Sequence, residues 1–370
     1  MTKVRHVLGI SGGKDSAALA IYLNQKYPEL DIEYYFCDTG KELEETYNLI
    51  KNLESYLGKK VIKLEAAKDS HEDPFDHYYK IFGGYLPSSN ARWCTKKLKL
   101  DPFEKYVGDD PVISYVGIRG DENREGYISK KSNIQSIFPF RKNIWSEDVV
   151  RKVLKNEQID QLTQRYEKYA DANKLNRIYE IVKEPVSPDF DQKQKLNALL
   201  DLGIQTFNQV VYDYLKETEY PLADTPDFPL IDNEDILVRD DIFRTLRESG
   251  VGVPKYYEKV TFEVNGEKGE YARSRSGCFF CFFQQKIEWV WLYEQHPERF
   301  KLAMEYEKEG YTWMQDERLE ELIKPERIHK IKEDALARSK KAKDKKENNS
   351  PYLMDKLAEA EGEGCAACFI

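Results

Sequence analysis

The chain has 370 residues and a formal net charge of −9 at neutral pH, and 41% of its residues are hydrophobic. This length predicts two or three domains with a sizeable core, and the acidic balance argues against tight, sequence-independent binding of nucleic acid through charge alone. Six cysteines are too few for a secreted disulfide scaffold, and the chain has neither a signal-peptide pattern nor an apolar run of 18 residues, so we expect a cytoplasmic protein that does not span a membrane.

A short apolar strand, a glycine-rich turn and a helix follow one another at the start of the chain. Residues 4–10 have the length of a buried strand, and residues 17–27 have a helical pattern. The turn between them offers backbone N–H groups, hydroxyls and a lysine to a phosphate at a helix N-terminus. An ordinary strand-to-helix turn is the alternative, but the density of these residue types disfavours it. The predicted phosphate-binding residues are Ser11, Gly12, Gly13, Lys14, Asp15 and Ser16.

A second strand over residues 31–36 ends in Asp38-Thr39-Gly40, and a helical pattern covers residues 42–56. This β-α-β spacing predicts a parallel sheet, in which ligands bind at the carboxyl ends of the strands. Asp38 and Thr39 are therefore candidates for ligand contact and equally for capping the next helix. Cys37 is predicted to be a buried apolar side chain rather than a nucleophile.

A third strand is predicted over residues 59–64, and a basic segment that contains Cys94 follows at residues 86–99. Positive charges beside a cysteine favour the thiolate, which suits metal ligation or nucleophilic chemistry. Arg92 and Lys99 are candidates for gripping a phosphate or sulfate. A solvated basic helix with an incidental cysteine is the alternative.

A β-branched strand over residues 112–116 continues into Gly117 and Arg119, which predicts an anion or nucleotide site at the end of the strand. Ser146 is predicted to cap a helix. Residues 152–240 contain charged helical runs and proline-rich turns, and we predict an inserted helical subdomain. Its role is either substrate or partner recognition or a solvated decoration.

The C-terminal third contains two CxxC spacings, Cys278-x-x-Cys281 and Cys365-x-x-Cys368, which predict metal or redox chemistry. The first is bracketed by arginines and aromatic residues, which would exclude water from a cluster. A basic run at residues 338–346 is predicted to be a solvated linker, with a nucleic-acid contact as the alternative. The second CxxC lies in a tail of small residues that could carry sulfur or close over a metal site.

Several of these segments resemble the phosphoadenosine-phosphosulfate reductase-like branch of the PP-loop superfamily. Residues 11–16 resemble its SGGxDS loop, and Asp38-Thr39-Gly40 with residues 45–47 resembles its DTG…ETY segment. Residues 92–99 are similar to its RxCCxxxK region, but Thr95 replaces the second cysteine. The segments after residue 117 and around residue 278 resemble its GxRxxES…R segment and GCxxC cluster loop.

The resemblance implies an α/β fold with a parallel twisted sheet and flanking helices, of the adenine nucleotide α-hydrolase-like kind. It implies ATP and Mg²⁺ as ligands, with Lys14, Asp15 and Cys368 as candidate catalytic residues. We predict four regions in the chain. They are a nucleotide-binding domain at residues 1–151, the helical insertion at residues 152–240, a cysteine-containing cluster region at residues 241–330, and a basic linker with the CxxC tail at residues 331–370.

The branch also includes the sulfurtransferase of DNA phosphorothioation, and the first functional hypothesis is an ATP-dependent sulfurtransferase that adenylates an acceptor and then transfers sulfur. A sulfur-donor protein and a nucleic-acid acceptor are compatible with this activity. The alternatives are a sulfonucleotide reductase, in which a tail cysteine attacks sulfur, and a non-catalytic nucleotide-sensing partner.

Two metal sites compete for the same cysteines. The resemblance joins Cys94, Cys278 and Cys281 as ligands of a [4Fe–4S] cluster, whose fourth iron is either open or capped by a tail cysteine such as Cys365. The two CxxC pairs could instead form a closed four-thiolate zinc site. The cluster is the favoured prediction.

Overall fold

The computed structural model describes residues 3–124, 129 and 131–348, with side chains through Lys341. Cys365 and Cys368 lie outside the described residues, so the predicted C-terminal metal-binding region stays a prediction. No helix in the described part of the chain is both long and apolar enough to cross a membrane.

The central sheet is parallel, as predicted, and has a fifth strand that was not predicted. Its order is β3-β2-β1-β4-β5, and helices pack on both faces. Strands β2 and β3 lie on one side of β1, and β4 and β5 lie on the other. The strand order therefore reverses between β1 and β4. In open α/β sheets the ligand crevice lies at such a switch point. The strands span Arg5–Gly9, Ile32–Asp38, Val61–Glu65, Val112–Tyr115 and Ile134–Ile137.

The first helix, α1 (Lys14–Lys26), begins three residues earlier than the sequence pattern predicts. Its apolar side chains, among them Leu19 and Ile21, are fully buried against the sheet. Lys14, Asp15 and Ser16 therefore form the first helical turn, where the helix dipole favours negative charge. The other helices of this part are α2 to α6, at Glu44–Leu57, Pro74–Ile81, Trp93–Thr95, Asp101–Val107 and Glu147–Val153, with a π-helical turn at Lys96–Leu100 between α4 and α5.

The insertion consists of four helices, and they share one continuous core with α1 and the sheet. Trp145, which follows β5, donates its Nε1–H to Asn208 Oδ1 at 2.9 Å, and the Asn208 amide donates to the carbonyl oxygen of Ile231 at 3.0 Å. Because Asn208 is fully buried, the bond from Trp145 ties the insertion to the nucleotide-binding part, whereas the bond to Ile231 lies within the insertion. The domain boundaries stay a prediction. Helices α7 to α10 span Ile159–Tyr169, Leu175–Lys183, Gln192–Leu202 and Ile204–Leu215.

The remaining chain packs around a second core that is rich in aromatic residues. A hairpin of β6 (Val260–Val264) and β7 (Glu267–Tyr271) turns at Asn265-Gly266, where both residues have positive φ, as a tight hairpin requires. Helices α11 to α15 span Arg239–Glu248, Lys286–Gln295, Pro297–Glu305, Leu319–Leu322 and Pro325–Asn348.

The basic segment at residues 338–346 lies within α15, so its backbone is helical, and its role as a linker stays a prediction. Its alanine, lysines and arginine are strong helix formers, which favours a helical backbone here.

Candidate functional site

The glycine-rich turn lies at the end of β1, directly beside the end of β4. Gly12 has a φ of +73°, and an added Cβ would lie 2.2 Å from Thr46 Cγ2. A Cβ at Gly117 would lie 2.9 Å from the carbonyl oxygen of Asp15. These close approaches require glycine at both positions, and they bring the two predicted ligand-binding segments together at the switch point of the sheet.

The two serines of the turn, Ser11 and Ser16, form hydrogen bonds within it. Ser16 Oγ accepts from the Ser11 backbone N–H at 3.1 Å and lies 3.1 Å from Ser11 Oγ. The Gly13 N–H donates to Ser11 Oγ at 3.4 Å. The turn is therefore held in one conformation, with the N-terminus of α1 at its end.

Lys14, Asp15 and Arg119 belong to a largely buried ionic network beneath the turn, in which Arg119 also pairs with Glu122 at 2.5 Å and Asp121 at 2.8 Å. Asp15 Oδ2 accepts from Lys14 Nζ at 3.0 Å, and Asp15 Oδ1 accepts from Arg119 at 2.8 Å. Burial raises the pKa of Asp15, but the positive charges of Lys14 and Arg119 outweigh it, and the pKa lies below its usual value. Asp15 is thus a carboxylate that holds two cations beside the turn, where a phosphate could bind them.

The Asp38-Thr39-Gly40 turn forms the next wall of the site. Asp38 Oδ1 accepts from the Gly40 N–H at 2.8 Å, and Asp38 Oδ2 contacts Lys63 Nζ at 2.7 Å. Leu43 occupies the N-cap of α2, so neither Asp38 nor Thr39 caps this helix. Their side chains shape the turn instead, which leaves ligand contact as their remaining predicted role.

Thr39 connects this turn to the cysteine loop. Its Oγ1 donates to Glu42 Oε1 at 2.7 Å and lies 3.2 Å from Cys278 Sγ. Burial, with the negative charge of Asp38, raises the pKa of Glu42 to about 7. Burial also raises the pKa of the Cys278 thiol. Glu42 is not among the residues predicted for the site, because its only signal in the sequence is an acid two residues after the turn.

The three cysteines that were predicted as metal ligands line one cavity of about 40 Å³. Thr39, Lys99 and Ser276 add polar groups to its wall, and aromatic rings close the rest. No group of three or more His, Cys, Asp or Glu side chains in the described ranges is arranged to hold a metal ion. The lining residues include Cys94, Cys278, Cys281, Phe75, Phe280, Phe282, Phe283 and Trp313.

The cysteine loop touches the phosphate turn directly. Ser276 Oγ donates to the Ser11 carbonyl oxygen at 3.3 Å, and a Cβ at Gly13 would lie 2.6 Å from Ser276 Oγ. Tyr256 donates its hydroxyl to the Gly12 carbonyl oxygen at 2.7 Å. Residues that are more than 240 positions apart in the chain therefore build one site.

Two other predicted residues lie at its margins. Arg92 is exposed, and its guanidinium lies 5.0 Å from the centre of the Phe283 ring at the rim of the cavity. Cys37 is buried, as predicted, and burial raises the pKa of its thiol to about 12.

Comparison with known proteins identifies the N-terminal part. Residues 5–161 match the family model of the phosphoadenosine phosphosulfate reductase domain. This part of the chain belongs to the phosphoadenosine-phosphosulfate reductase-like branch of the PP-loop superfamily.

Three curated relatives align with the chain over parts of their length. An uncharacterised protein of Methanocaldococcus jannaschii is 34% identical over 145 residues, which cover 36% of this chain and 28% of the relative. An uncharacterised nin region protein of Escherichia phage lambda is 29% identical, over 32% of this chain and 49% of its own. The adenosine 5'-phosphosulfate reductase of Staphylococcus haemolyticus is 25% identical, over 41% of this chain and 62% of its own. The chain thus spans less than two thirds of each.

Proposed function

We propose that the protein is an ATP-dependent sulfurtransferase, an ATP pyrophosphatase that adenylates an acceptor and then replaces the activated oxygen by sulfur. The observation that carries this proposal is the contact between the phosphate turn and the cysteine loop, through Ser276 and Ser11. A nucleotide-activating site and a group of thiols that share a wall suit a reaction in which sulfur attacks a group that ATP has activated.

The phosphate turn supplies the binding part of this reaction. Backbone N–H groups at the start of α1 and the positive charges of Lys14 and Arg119 would bind the phosphates of ATP, with Mg²⁺ entering as the phosphate-bound ion. Asp15 positions both cations and competes with the phosphates for them. An incoming phosphate therefore replaces the Asp15 carboxylate as the partner of Lys14 and Arg119, so neither cation has to be buried without a negative charge beside it.

The reaction has two steps. An acceptor oxygen attacks the α-phosphate of ATP, the α–β phosphoanhydride bond breaks, and pyrophosphate leaves. A hydrosulfide then attacks the acceptor atom that carries the adenylate, the bond to oxygen breaks, and AMP leaves. The proton of the acceptor hydroxyl is lost in the first step, and the product is a thiol or thione.

Three cysteines line the cavity, and thiolates are the ligands that iron–sulfur clusters and zinc prefer. Cys94, Cys278 and Cys281 would hold a [4Fe–4S] cluster, which would supply sulfide when bound, or a zinc ion. Lys99 lowers the pKa of Cys278 against the larger effect of burial, as a positive charge beside thiolates does.

A sulfonucleotide reductase is the second candidate, and the alignment with an adenosine 5'-phosphosulfate reductase favours it. Thr95 stands where that branch has the second cysteine of a pair, which argues against it. This candidate predicts thioredoxin-dependent release of sulfite from a sulfonucleotide. Absence of sulfite from both adenosine and phosphoadenosine phosphosulfates would remove it.

The test of the first candidate is release of pyrophosphate and AMP from MgATP, with sulfide and a panel of acceptors that includes RNA, DNA and small hydroxyl and carbonyl compounds. We expect Lys14→Met to lower the affinity for MgATP at least tenfold, because the lysine is buried at the turn. Lys26→Met is the matched control, since Lys26 lies at the far end of the same helix and pairs with Asp235. Failure of the wild-type protein to bind ATP, or cleavage to ADP and phosphate, would contradict the proposal.

A further inference from the structure

Arg273 is a buried cation that forms no ion pair with any residue in the described part of the chain. The residue is only 2% exposed. Nη2 donates to the Cys278 carbonyl oxygen at 3.0 Å and to Gln284 Oε1 at 3.3 Å. Nε and Nη1 are buried and have no hydrogen-bond partner among the described residues. Lys14 and Arg119 differ, because both contact the carboxylate of Asp15. A buried charge without a counter-ion is strongly unfavourable.

Gln284 places a further donor beside this guanidinium. The residue is 7% exposed, and its Oε1 accepts from the Cys281 backbone N–H at 3.0 Å as well as from Arg273. These two bonds fix the orientation of the amide. Its Nε2 is consequently directed away from them, and it too is buried without a partner in the described part of the chain. These three buried nitrogen atoms, on two side chains that contact each other, present only N–H groups. A water molecule would leave the positive charge uncompensated.

These donors lie between the two halves of the site. The Arg273 backbone N–H donates to the Tyr256 carbonyl oxygen at 2.9 Å, and its guanidinium lies 5.9 Å from the centre of the Tyr256 ring. The hydroxyl of that same tyrosine donates to Gly12 of the phosphate turn. The other side of the guanidinium contacts the cysteine loop at Cys278.

We propose that Arg273 and Gln284 form a binding subsite for a tetrahedral oxyanion of the phosphate or sulfate kind. Such an ion has several acceptor oxygens, which match the parallel donors of a guanidinium, and it supplies the missing negative charge. The oxyanion comes either from the nucleotide or from free anion in solution. The first source rests on the proposed function, and the second does not.

Gln284→Glu is the most informative variant, because it replaces the unpartnered amide nitrogen by a carboxylate oxygen of nearly the same shape. The glutamate would supply the counter-ion from within the chain. We expect its thermal midpoint without added anion to be higher than that of the wild type, and its response to anion to be lost. Most substitutions of a buried polar residue lower the midpoint, so the expected sign is opposite to that of a structural defect.

The experiment measures the thermal midpoint of the full chain against sodium sulfate, MgATP and adenosine, with sodium chloride at matched ionic strength as the reference. Arg244→Gln is the control, since Arg244 is 62% exposed and pairs with Asp241; it should respond as the wild type does. Arg273→Lys keeps the charge but loses the parallel donors, and we expect it to bind sulfate at least tenfold more weakly. Adenosine, which has no phosphate, should have no effect that depends on Arg273 or Gln284.

These measurements distinguish a nucleotide phosphate from a free anion as the ligand of the subsite. They also distinguish failure of the subsite from failure of the proposed function. Competition between sulfate and MgATP assigns the subsite to the nucleotide, and independent binding assigns it to free anion; either supports the subsite. If sulfate binds at Arg273 but ATP is never cleaved to pyrophosphate, the proposed function fails and the subsite stands. A Gln284→Glu variant with a lower midpoint and an unchanged sulfate response would overturn the subsite. A crystal grown with selenate that shows water at these nitrogen atoms would also overturn it.

Discussion

Substitution of Gly12 by alanine should destabilise the protein for two separable reasons. The backbone at Gly12 has a φ of +73°, and the new Cβ would lie 2.2 Å from Thr46 Cγ2. The left-handed backbone costs a non-glycine residue about 1–2 kcal/mol. Overpacking a buried contact costs a further 1–3 kcal/mol or so. We therefore expect the free energy of unfolding to fall by about 3 kcal/mol.

The clash can be removed without changing the backbone. Thr46→Ser deletes Cγ2, and the next nearest atoms of Thr46 lie 3.4 and 3.5 Å from the added Cβ, which is ordinary contact. The double variant Gly12→Ala/Thr46→Ser should therefore recover roughly 1–3 kcal/mol relative to the sum of the single variants, a coupling that a double-mutant cycle measures.

Urea unfolding at equilibrium is the assay, and Gly58→Ala is the matched control. Gly58 also has a positive φ, of +62°, but nothing lies within 4 Å of its added Cβ. It should lose only the backbone contribution of about 1–2 kcal/mol and should leave MgATP binding unchanged. Equal losses in Gly12→Ala and Gly58→Ala, or no coupling between positions 12 and 46, would refute this account of the turn.

Further predictions concern Glu42 and the insertion. Because the pKa of Glu42 is raised to about 7, the folded protein binds this proton more tightly than the unfolded chain, and stability contributed by the protonated carboxyl is lost as the pH rises from about 4.5 to 7. Glu42→Gln should flatten this part of the stability–pH profile, by roughly 3 kcal/mol at most; an unchanged slope would contradict the assigned pKa. Asn208→Ala leaves Trp145 Nε1 buried without its acceptor. It should lower the free energy of unfolding by about 1–3 kcal/mol. Asn156→Ala is the control, because it removes only exposed hydrogen bonds to Val186.

The sequence predicted the sheet and its ligand-binding edge well because their signals are local. A buried strand followed by a glycine-rich turn is recognisable within a dozen residues, and parallel strands end at the same edge. The meeting of Cys94 with Cys278 and Cys281 followed from family resemblance rather than from spacing, since more than 180 residues separate them in the chain.

The parts that escaped prediction depend on tertiary packing. Glu42 and Arg273 are ordinary charged residues in the sequence, and only burial gives the first its raised pKa and leaves the second without a counter-ion. The helix through residues 338–346 was missed for the opposite reason, because its lysine-rich composition suits both a solvated linker and a solvated helix.

The central claim is that the phosphate turn and the cysteine loop form one site. Peptide mass spectrometry of thiol alkylation tests it directly, because it follows each cysteine separately in the anaerobic full-length protein and needs no acceptor. We predict that MgATP changes the alkylation rate of Cys278 several-fold in the wild type but not in Lys14→Met. Cys37 is buried within a separate hydrophobic core, and its alkylation should stay slow in both proteins. Unchanged alkylation of Cys278 at MgATP concentrations that saturate the wild-type protein would contradict the claim.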